Sequence, residues 1–104
     1  MIALKNNDVN VSGLSVQILL ALMVAAQVYQ TYDKPFVITS ANDGKHGPKS
    51  KHYRGDAVDI RTRHLSADEE INIAHEIAQS LGKDFDVVLE SDHLHIEYDP
   101  KRRN

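Results

Sequence analysis

Two histidines separated by one residue, His93 and His95, lie near the end of the chain and directly follow Asp92. Successive side chains of a β-strand point to opposite faces, so a strand here would place both imidazoles on one face. A metal site, a catalytic pair and an exposed polar strand are all compatible with this pattern. A second group of polar residues is needed to decide between them.

That second group lies upstream in the segment HYRGDAVD, where His52 and Asp59 flank a glycine and a small alanine. Together with the C-terminal histidines, these residues supply imidazole and carboxylate ligands and leave a coordination position for water. Such a combination is typical of a hydrolytic zinc site, in which a further carboxylate serves as general base. The chain has no cysteine, which excludes thiolate zinc sites, disulfides and a cysteine nucleophile.

The first element that must position these residues is an apolar segment, which predicts a helix from Ser12 or Ser15 to about residue 30. Because the segment is apolar nearly all round, we expect a buried core helix. The uninterrupted apolar run, Ile18 to Ala26, is shorter than the about 20 residues that span a bilayer, so no membrane span is predicted. A signal peptide is the alternative, and Asp8 argues against it. The cellular location stays open.

A second helix is predicted from a capping-box pattern, with Ser66 as N-cap and Glu69 reaching back, and with Gly82 as the C-terminal stop. Its expected buried stripe consists of Ile71, Ala74, Ile77, Ala78 and Leu81.

Four segments have strand character, and they cover residues 36–41, 56–62, 85–90 and 93–98. Residues 1–11 are expected to form an extended or turn-forming lead-in, and residues 42–55 a long loop. Ser91 and Asp92 predict a tight hairpin or kinked connection between the last two strands. We expect an irregularity there that turns Asp92 toward the metal. The element order predicts one α+β domain over residues 1–104, with two helices packed against a small, largely antiparallel sheet.

The spacing of the polar residues resembles the signature of the zinc D-alanyl-D-alanine carboxypeptidases. That family includes the vancomycin-resistance D-Ala-D-Ala dipeptidases and the L-alanyl-D-glutamate endopeptidases of phage lysins, and Hedgehog signalling domains share its zinc constellation. The matching patterns are SxHxxGxAxD over residues 50–59 and DHxH over residues 92–95. The resemblance covers residues 36–98 and implies helices against a small antiparallel sheet, a Zn²⁺ cofactor and a peptidoglycan peptide substrate.

Residue roles follow from this resemblance. It implies that the zinc ligands are His52, Asp59 and His95. Asp92 takes the position of the general base, and His93 matches a histidine that holds the site or stabilises the oxyanion. Within the same motif, the resemblance implies a backbone turn at residue 55 and room beside the metal at residue 57.

Substrate-binding candidates lie in the long loop and are His46, Ser50 and Arg54. Ser50 is interpreted as a hydrogen-bonding loop residue and not as a nucleophile, because no histidine–carboxylate relay surrounds it. Many relatives carry an arginine shortly after the strand that matches residues 36–41, where it binds the substrate carboxylate or the reacting carbonyl. This chain has none there, and its candidate replacements are Lys45, Arg54 and Arg61.

The sequence thus favours a zinc peptidase that acts on D-Ala-D-Ala or L-Ala-D-Glu bonds of stem peptides, as a monomer without a protein partner. The alternative is a non-catalytic, zinc-stabilised Hedgehog-like binding domain, against which the presence of Asp92 argues. A metal-dependent nuclease is the third hypothesis. The formal net charge of −3 and the lack of a basic, aromatic surface argue against nucleic-acid binding.

Overall fold

The computed structural model describes residues 2–41 and 55–100 of the chain. In chain order the elements are β1 (Ile2–Leu4), α1 (Val16–Thr31), β2 (Phe36–Ser40), β3 (Ala57–Arg61), α2 (Ala67–Leu81), β4 (Phe85–Leu89) and β5 (His93–Tyr98). The strands form one sheet in the order β1-β2-β3-β5-β4. Only β1 and β2 pair in parallel, and the other neighbours are antiparallel. The predicted α+β fold with a largely antiparallel sheet is therefore confirmed.

The start of the chain is more regular than the sequence suggested. The predicted lead-in begins with β1, which pairs with β2 through Leu4 opposite Ile38. Lys5 continues this pairing, because its backbone N–H donates to the carbonyl oxygen of Ile38 at 2.9 Å. All three residues of β1 are exposed and apolar. This edge strand therefore lacks the alternation of apolar and polar residues from which a strand is predicted.

Helix α1 begins after Ser15, whose hydroxyl accepts a hydrogen bond from the backbone N–H of Ile18 at 3.2 Å. The expectation that this helix is buried nearly all round is wrong. One side packs into the core, while the opposite side exposes Val16, Leu19, Leu20 and Met23, each between 47% and 67%. The physical reason is that α2 and the sheet cover only one side of α1. Neither helix in the described part of the chain has the length and apolar content needed to cross a membrane.

Helix α2 has the predicted capping box. The Ser66 hydroxyl accepts from the Glu69 N–H at 3.2 Å, and the Glu69 carboxylate accepts from the Ser66 N–H at 2.9 Å. The buried residues of α2 are Ile73 and Ile77, which stand one turn apart. Ile71, predicted to be buried, is 61% exposed. At about 100° per residue, positions 71 and 73 lie on nearly opposite sides of a helix, so the buried stripe is rotated from the predicted one.

The central strands β3 and β5 separate two kinds of side chain. The side chains that face the helices are buried apolar ones, namely Val58, Ile60, Leu94 and Ile96. The alternating positions are polar and half-buried, namely Asp59, Arg61, His93, His95 and Glu97. We call the second set of positions, together with the side chains beside them on β2 and β4, the open face of the sheet.

Candidate functional site

The pairing register of β3 and β5 brings two of the predicted ligands together. Asp59 lies directly opposite His95 in the ladder, and the Oδ1 atom of Asp59 is 2.8 Å from the Nδ1 atom of His95. Their side chains are only 16% and 21% exposed. Two residues that are far apart in sequence are therefore a cross-strand pair at the centre of the open face.

The second histidine of the motif approaches the same carboxylate oxygen. His93 lies opposite Arg61, one step along the same face, and its Nε2 atom is 3.8 Å from Oδ1 of Asp59. One oxygen of Asp59 thus faces a ring nitrogen from each histidine. The prediction that a strand would place both imidazoles on one face is confirmed.

The remaining nitrogen of each imidazole has its own carboxylate partner. Nε2 of His95 is 3.0 Å from Oε1 of Glu97, and Nδ1 of His93 is 2.8 Å from Oδ1 of Asp92. Metal-binding histidines commonly donate their second ring N–H to a carboxylate, which fixes the orientation of the ring. The two carboxylates therefore hold both rings with their other nitrogens toward Asp59.

The electrostatics of His95 follow from these contacts. The hydrogen bond to Asp59 is the main reason that the pKa of His95 rises from 6.5 to about 9, with Glu97 adding to the rise and burial opposing it. A ring that faces a carboxylate with each nitrogen donates from both when it is an imidazolium. Without a metal, His95 is therefore protonated at neutral pH, and a metal ion must displace that proton to bind Nδ1.

The predicted tight connection between β4 and β5 lies at Ser91 and Asp92, whereas the expectation that it turns Asp92 toward a metal stays a prediction. The backbone N–H of Glu90 donates to the carbonyl oxygen of His93 at 2.8 Å, which closes a tight hairpin, and Thr62 donates its N–H to the Asp92 carbonyl oxygen at 3.3 Å. The Asp92 side chain is 73% exposed. Its carboxylate contacts His93, so it lies one imidazole ring away from Asp59. The hydrogen bond from His93 is the main reason that the pKa of Asp92 is lowered.

Several predicted site residues lie outside the described residues. They are the third proposed ligand, His52, the substrate-binding candidates His46, Ser50 and Arg54, and the arginine substitute Lys45. Their roles stay predictions. Gly55 is described and has a φ of +76°, and a Cβ placed on it would collide with the carbonyl oxygen of Gly13. Its backbone turn at the motif is therefore confirmed, and only glycine fits this contact.

The two predicted ligands that are described, Asp59 and His95, carry donor atoms of the types that zinc binds. Imidazole nitrogen and carboxylate oxygen are ordinary zinc ligands, and two ligand atoms about 2.0–2.1 Å from a tetrahedral zinc lie roughly 3.3 Å apart. The separation of 2.8 Å between Asp59 and His95 is about half an ångström shorter than that. The hydrogen-bonded pair is therefore closer together than two ligands of one zinc ion.

Two features of this region were not assigned from the sequence. Glu97 received no role, although its position two residues after His95 would have placed it on the same strand face. Glu97 also belongs to a half-buried group of three carboxylates, with Asp86 and Asp99, whose ligand atoms lie within 4.8 Å of one another. The group depends on the β4–β5 register, in which Asp86 lies opposite Glu97.

The comparisons with known proteins assign neither a family nor a function to the chain. No protein-family model matches the chain, and no curated protein matches its sequence. The resemblance to zinc peptidases is therefore carried by the motif residues and their spacing.

Proposed function

We propose that this protein is a zinc-dependent peptidase that hydrolyses a D-Ala-D-Ala or L-Ala-D-Glu bond in peptidoglycan stem peptides. The observation that supports this most directly is the arrangement around Asp59. One carboxylate oxygen faces a nitrogen from each of two histidines, at 2.8 Å for His95 and 3.8 Å for His93. Each histidine is also oriented by a second carboxylate.

The proposed metal ligands are His52, Asp59 and His95. A zinc ion bound by them would act as a Lewis acid and lower the pKa of water to about 7. Glu97 supports this assignment, because it accepts from the Nε2 atom of His95 and leaves Nδ1 as the coordinating nitrogen. The third ligand is proposed from the motif alone.

Asp92 and His93 are proposed to handle protons and charge at the reacting peptide bond. Asp92 accepts the proton of the attacking water as general base and then transfers it to the leaving amine. His93, hydrogen-bonded to Asp92 at 2.8 Å, holds this carboxylate in place and donates to the developing oxyanion. Both side chains reach solvent, with 73% and 30% exposure, so an extended peptide has access to them.

The test uses the full chain loaded with zinc and defined muropeptides, with the products read by mass. Asp92→Asn should keep the metal and lose about 10²- to 10⁴-fold in rate, since it removes the base. His95→Gln should lose both zinc, measured by elemental analysis, and activity. Asp68→Asn is the matched control, because Asp68 is an exposed carboxylate in the first turn of α2, and it should change neither.

Two results would contradict the proposal in different ways. A protein that binds zinc but cleaves neither bond would support the zinc-stabilised binding domain instead. A protein that retains no zinc after purification and reconstitution would refute the metal site itself.

A further inference from the structure

The exposed side of α1 carries a regular stripe that the core does not use. Its large apolar side chains, each between 47% and 67% exposed, are Val16, Leu19, Leu20 and Met23. The exposed positions along the middle of this side are separated by four, three, four and three residues, and they are Val16, Leu20, Met23, Gln27 and Gln30. This is the heptad spacing with which two helices pack against each other. We call these five residues, together with Leu19, the α1 seam.

The α1 seam also lies in a stretch without charge. No Asp, Glu, Lys or Arg occurs between Asp8 and Asp33, although such residues make up 26% of the chain. The side of a helix that faces water usually carries charged residues, so an uncharged and apolar side indicates a surface that another molecule covers. Two copies can also meet through the seam without placing like charges opposite each other. The seam is therefore self-complementary.

The parts of this chain outside the described residues lack the composition needed to cover the α1 seam. Apart from Met1 and Tyr53 they contain no large apolar side chain, and residues 42–54 and 101–104 are rich in Lys and Arg. A lipid surface is also a poor match, because helices that lie in a membrane interface carry Lys and Arg on their polar side. Helix α1 has neither residue. A second copy of the seam is the occupant whose chemistry matches.

The size of the α1 seam suits a weak dimer. Its four apolar side chains form a patch on the order of 400 Å², which is comparable with the largest apolar patches on typical monomers. Two such patches and the polar side chains around them would bury about 1,000–1,200 Å² in total, at the lower end of specific protein–protein interfaces. We therefore expect a Kd of about 10–100 µM.

We propose that this protein forms a two-fold symmetric dimer in which the α1 seams of two copies pack against each other. A two-fold axis places the same patch on both sides of the interface, with Leu20 near the centre of its apolar part. The helices and the open face lie on opposite sides of the sheet, so this contact leaves both candidate sites accessible. The dimer does not depend on the proposed peptidase function. A monomer was expected from the sequence, so the oligomeric state decides between the two.

Sedimentation equilibrium of the full chain measures the oligomeric state directly. Between about 1 µM and 1 mM protein, mass action should populate the dimer progressively. The average mass should rise from 11.7 kDa toward twice that value. A mass that stays at 11.7 kDa up to the highest concentration, or one that rises without limit, would overturn the proposal.

A charge placed in the α1 seam tests which surface forms the dimer. Leu20→Lys puts two ammonium groups near the two-fold axis and should weaken association at least about 30-fold, although it brings the net charge of −3 closer to zero. Ile71→Lys is the matched control, because Ile71 is an apolar residue of α2 that is 61% exposed, and it should leave the Kd unchanged. Equal weakening by the two variants would overturn the assignment to α1.

A variant without added charge protects this test against misfolding. Circular dichroism and urea unfolding show whether Leu20→Lys is folded. If it is not, Leu20→Gln takes its place, since it keeps good helix propensity and should weaken association about 10-fold by removing apolar contact area. A folded Leu20→Gln variant with the wild-type Kd would contradict the proposed interface.

Cross-linking gives a second measurement at the same position, because the chain has no cysteine. Leu20→Cys should form an intermolecular disulfide on mild oxidation, whereas Asn72→Cys, at an exposed position of α2, should not. Equal cross-linking of the two variants would indicate random collisions and contradict the interface.

Flotation with neutral phosphatidylcholine vesicles separates the dimer from a lipid surface. Wild-type protein should stay in the aqueous phase at concentrations where it is dimeric. Flotation of the wild type that Leu20→Lys abolishes, together with a monomeric mass in solution, would assign the α1 seam to a lipid surface and overturn the dimer.

Discussion

The two faces of the β3–β5 pair are made by the same strands but differ in burial and polarity. Toward the helices, Val58 and Ile96 are opposite each other and fully buried. Toward the open face, Asp59 and His95 occupy the next pair and retain 16% and 21% exposure. A difference of one residue along the chain therefore separates the apolar core from the candidate site.

This comparison shows where stability and function are located. The inner face gains free energy from removing apolar surface from water, at roughly 25 cal/mol per Å². The open face holds partly desolvated charges, which are costly unless each has a partner. His95 has hydrogen bonds with Asp59 and Glu97, and a ring nitrogen of His93 lies 3.8 Å from the Asp59 carboxylate, which together meet that need. Burial of the inner face therefore supplies the free energy that offsets the cost of holding the polar cluster on the open face.

The largest expected difference in stability is between an inner and an open apolar position. Ile96→Ala should lower the free energy of unfolding by about 2–5 kcal/mol, because it leaves a cavity in the core. Val88, which lies opposite His95 on β4, is 45% exposed, so Val88→Ala should change it by about 0.5 kcal/mol or less. Urea unfolding measures both. Similar losses for the two variants would contradict the assignment of the faces.

The next effect concerns Gly55, which precedes β3 and lies against Gly13 in the segment before α1. Gly55 has a φ of +76°, and its Cβ position collides with the Gly13 carbonyl oxygen. Gly82 has a similar φ of +84°, but nothing lies within 4 Å of its Cβ position. We expect Gly82→Ala to cost about 1 kcal/mol and Gly55→Ala at least twice as much. Equal losses in thermal unfolding would show that the close contact has no energetic weight.

A third expectation is that the open face makes stability depend on pH between about pH 6.5 and 9. In metal-free protein, the Asp59 hydrogen bond raises the pKa of His95 to about 9 from 6.5. Its stabilisation is therefore fully present below about pH 6.5 and is lost as pH rises through about 9. The loss should be at most about 3 kcal/mol, and less after screening of these partly exposed groups.

Urea unfolding in the presence of a chelator, from pH 6 to pH 9.5, measures this dependence. His95→Gln should flatten it, whereas Ile96→Ala should lower the curve without changing its shape. Zinc should reverse the trend, because its binding displaces the His95 proton and strengthens as pH rises. A zinc-loaded protein whose stability falls over this range as in the metal-free form would argue against His95 as a ligand.

The parts of the fold that were predictable from the sequence are those with local causes. Ser66 and Glu69 satisfy each other's backbone groups within one turn, so the start of α2 could be predicted from four residues. Ile71 was misassigned because periodicity shows that a helix has an apolar stripe, but only packing against α1 and β4 determines which side is buried. β1 was missed because three exposed residues carry no alternation.

The candidate site likewise has a part that the local sequence determines and a part that depends on strand pairing. The alternation of His93 and His95 is local and was predicted. Their convergence on Asp59 depends on the β3–β5 register, which the residue types alone did not determine and which entered only through the motif resemblance. Glu97 was not predicted as a partner of His95. The small cavity lined in part by Lys5, Arg61 and Asp92 was not predicted either, because only the strand order of the sheet brings these residues together.

The smallest expected effect lies at Thr62, where the two faces meet at the end of β3. Thr62 is 1% exposed, and its hydroxyl has no hydrogen-bond partner among the described residues. Since an unmade hydrogen bond of a buried group costs free energy, Thr62→Val should be neutral or stabilise the protein by up to about 1 kcal/mol.

Thr39→Val, which removes the bond from Thr39 to the Asp59 carbonyl oxygen, should cost about 0.5–1 kcal/mol. Opposite signs in urea unfolding would place Thr62 with the apolar inner face and Thr39 with the hydrogen-bonded open face. A loss above 1 kcal/mol for Thr62→Val would instead show that its hydroxyl belongs to the polar network around Asp92, whose carbonyl oxygen accepts the Thr62 N–H.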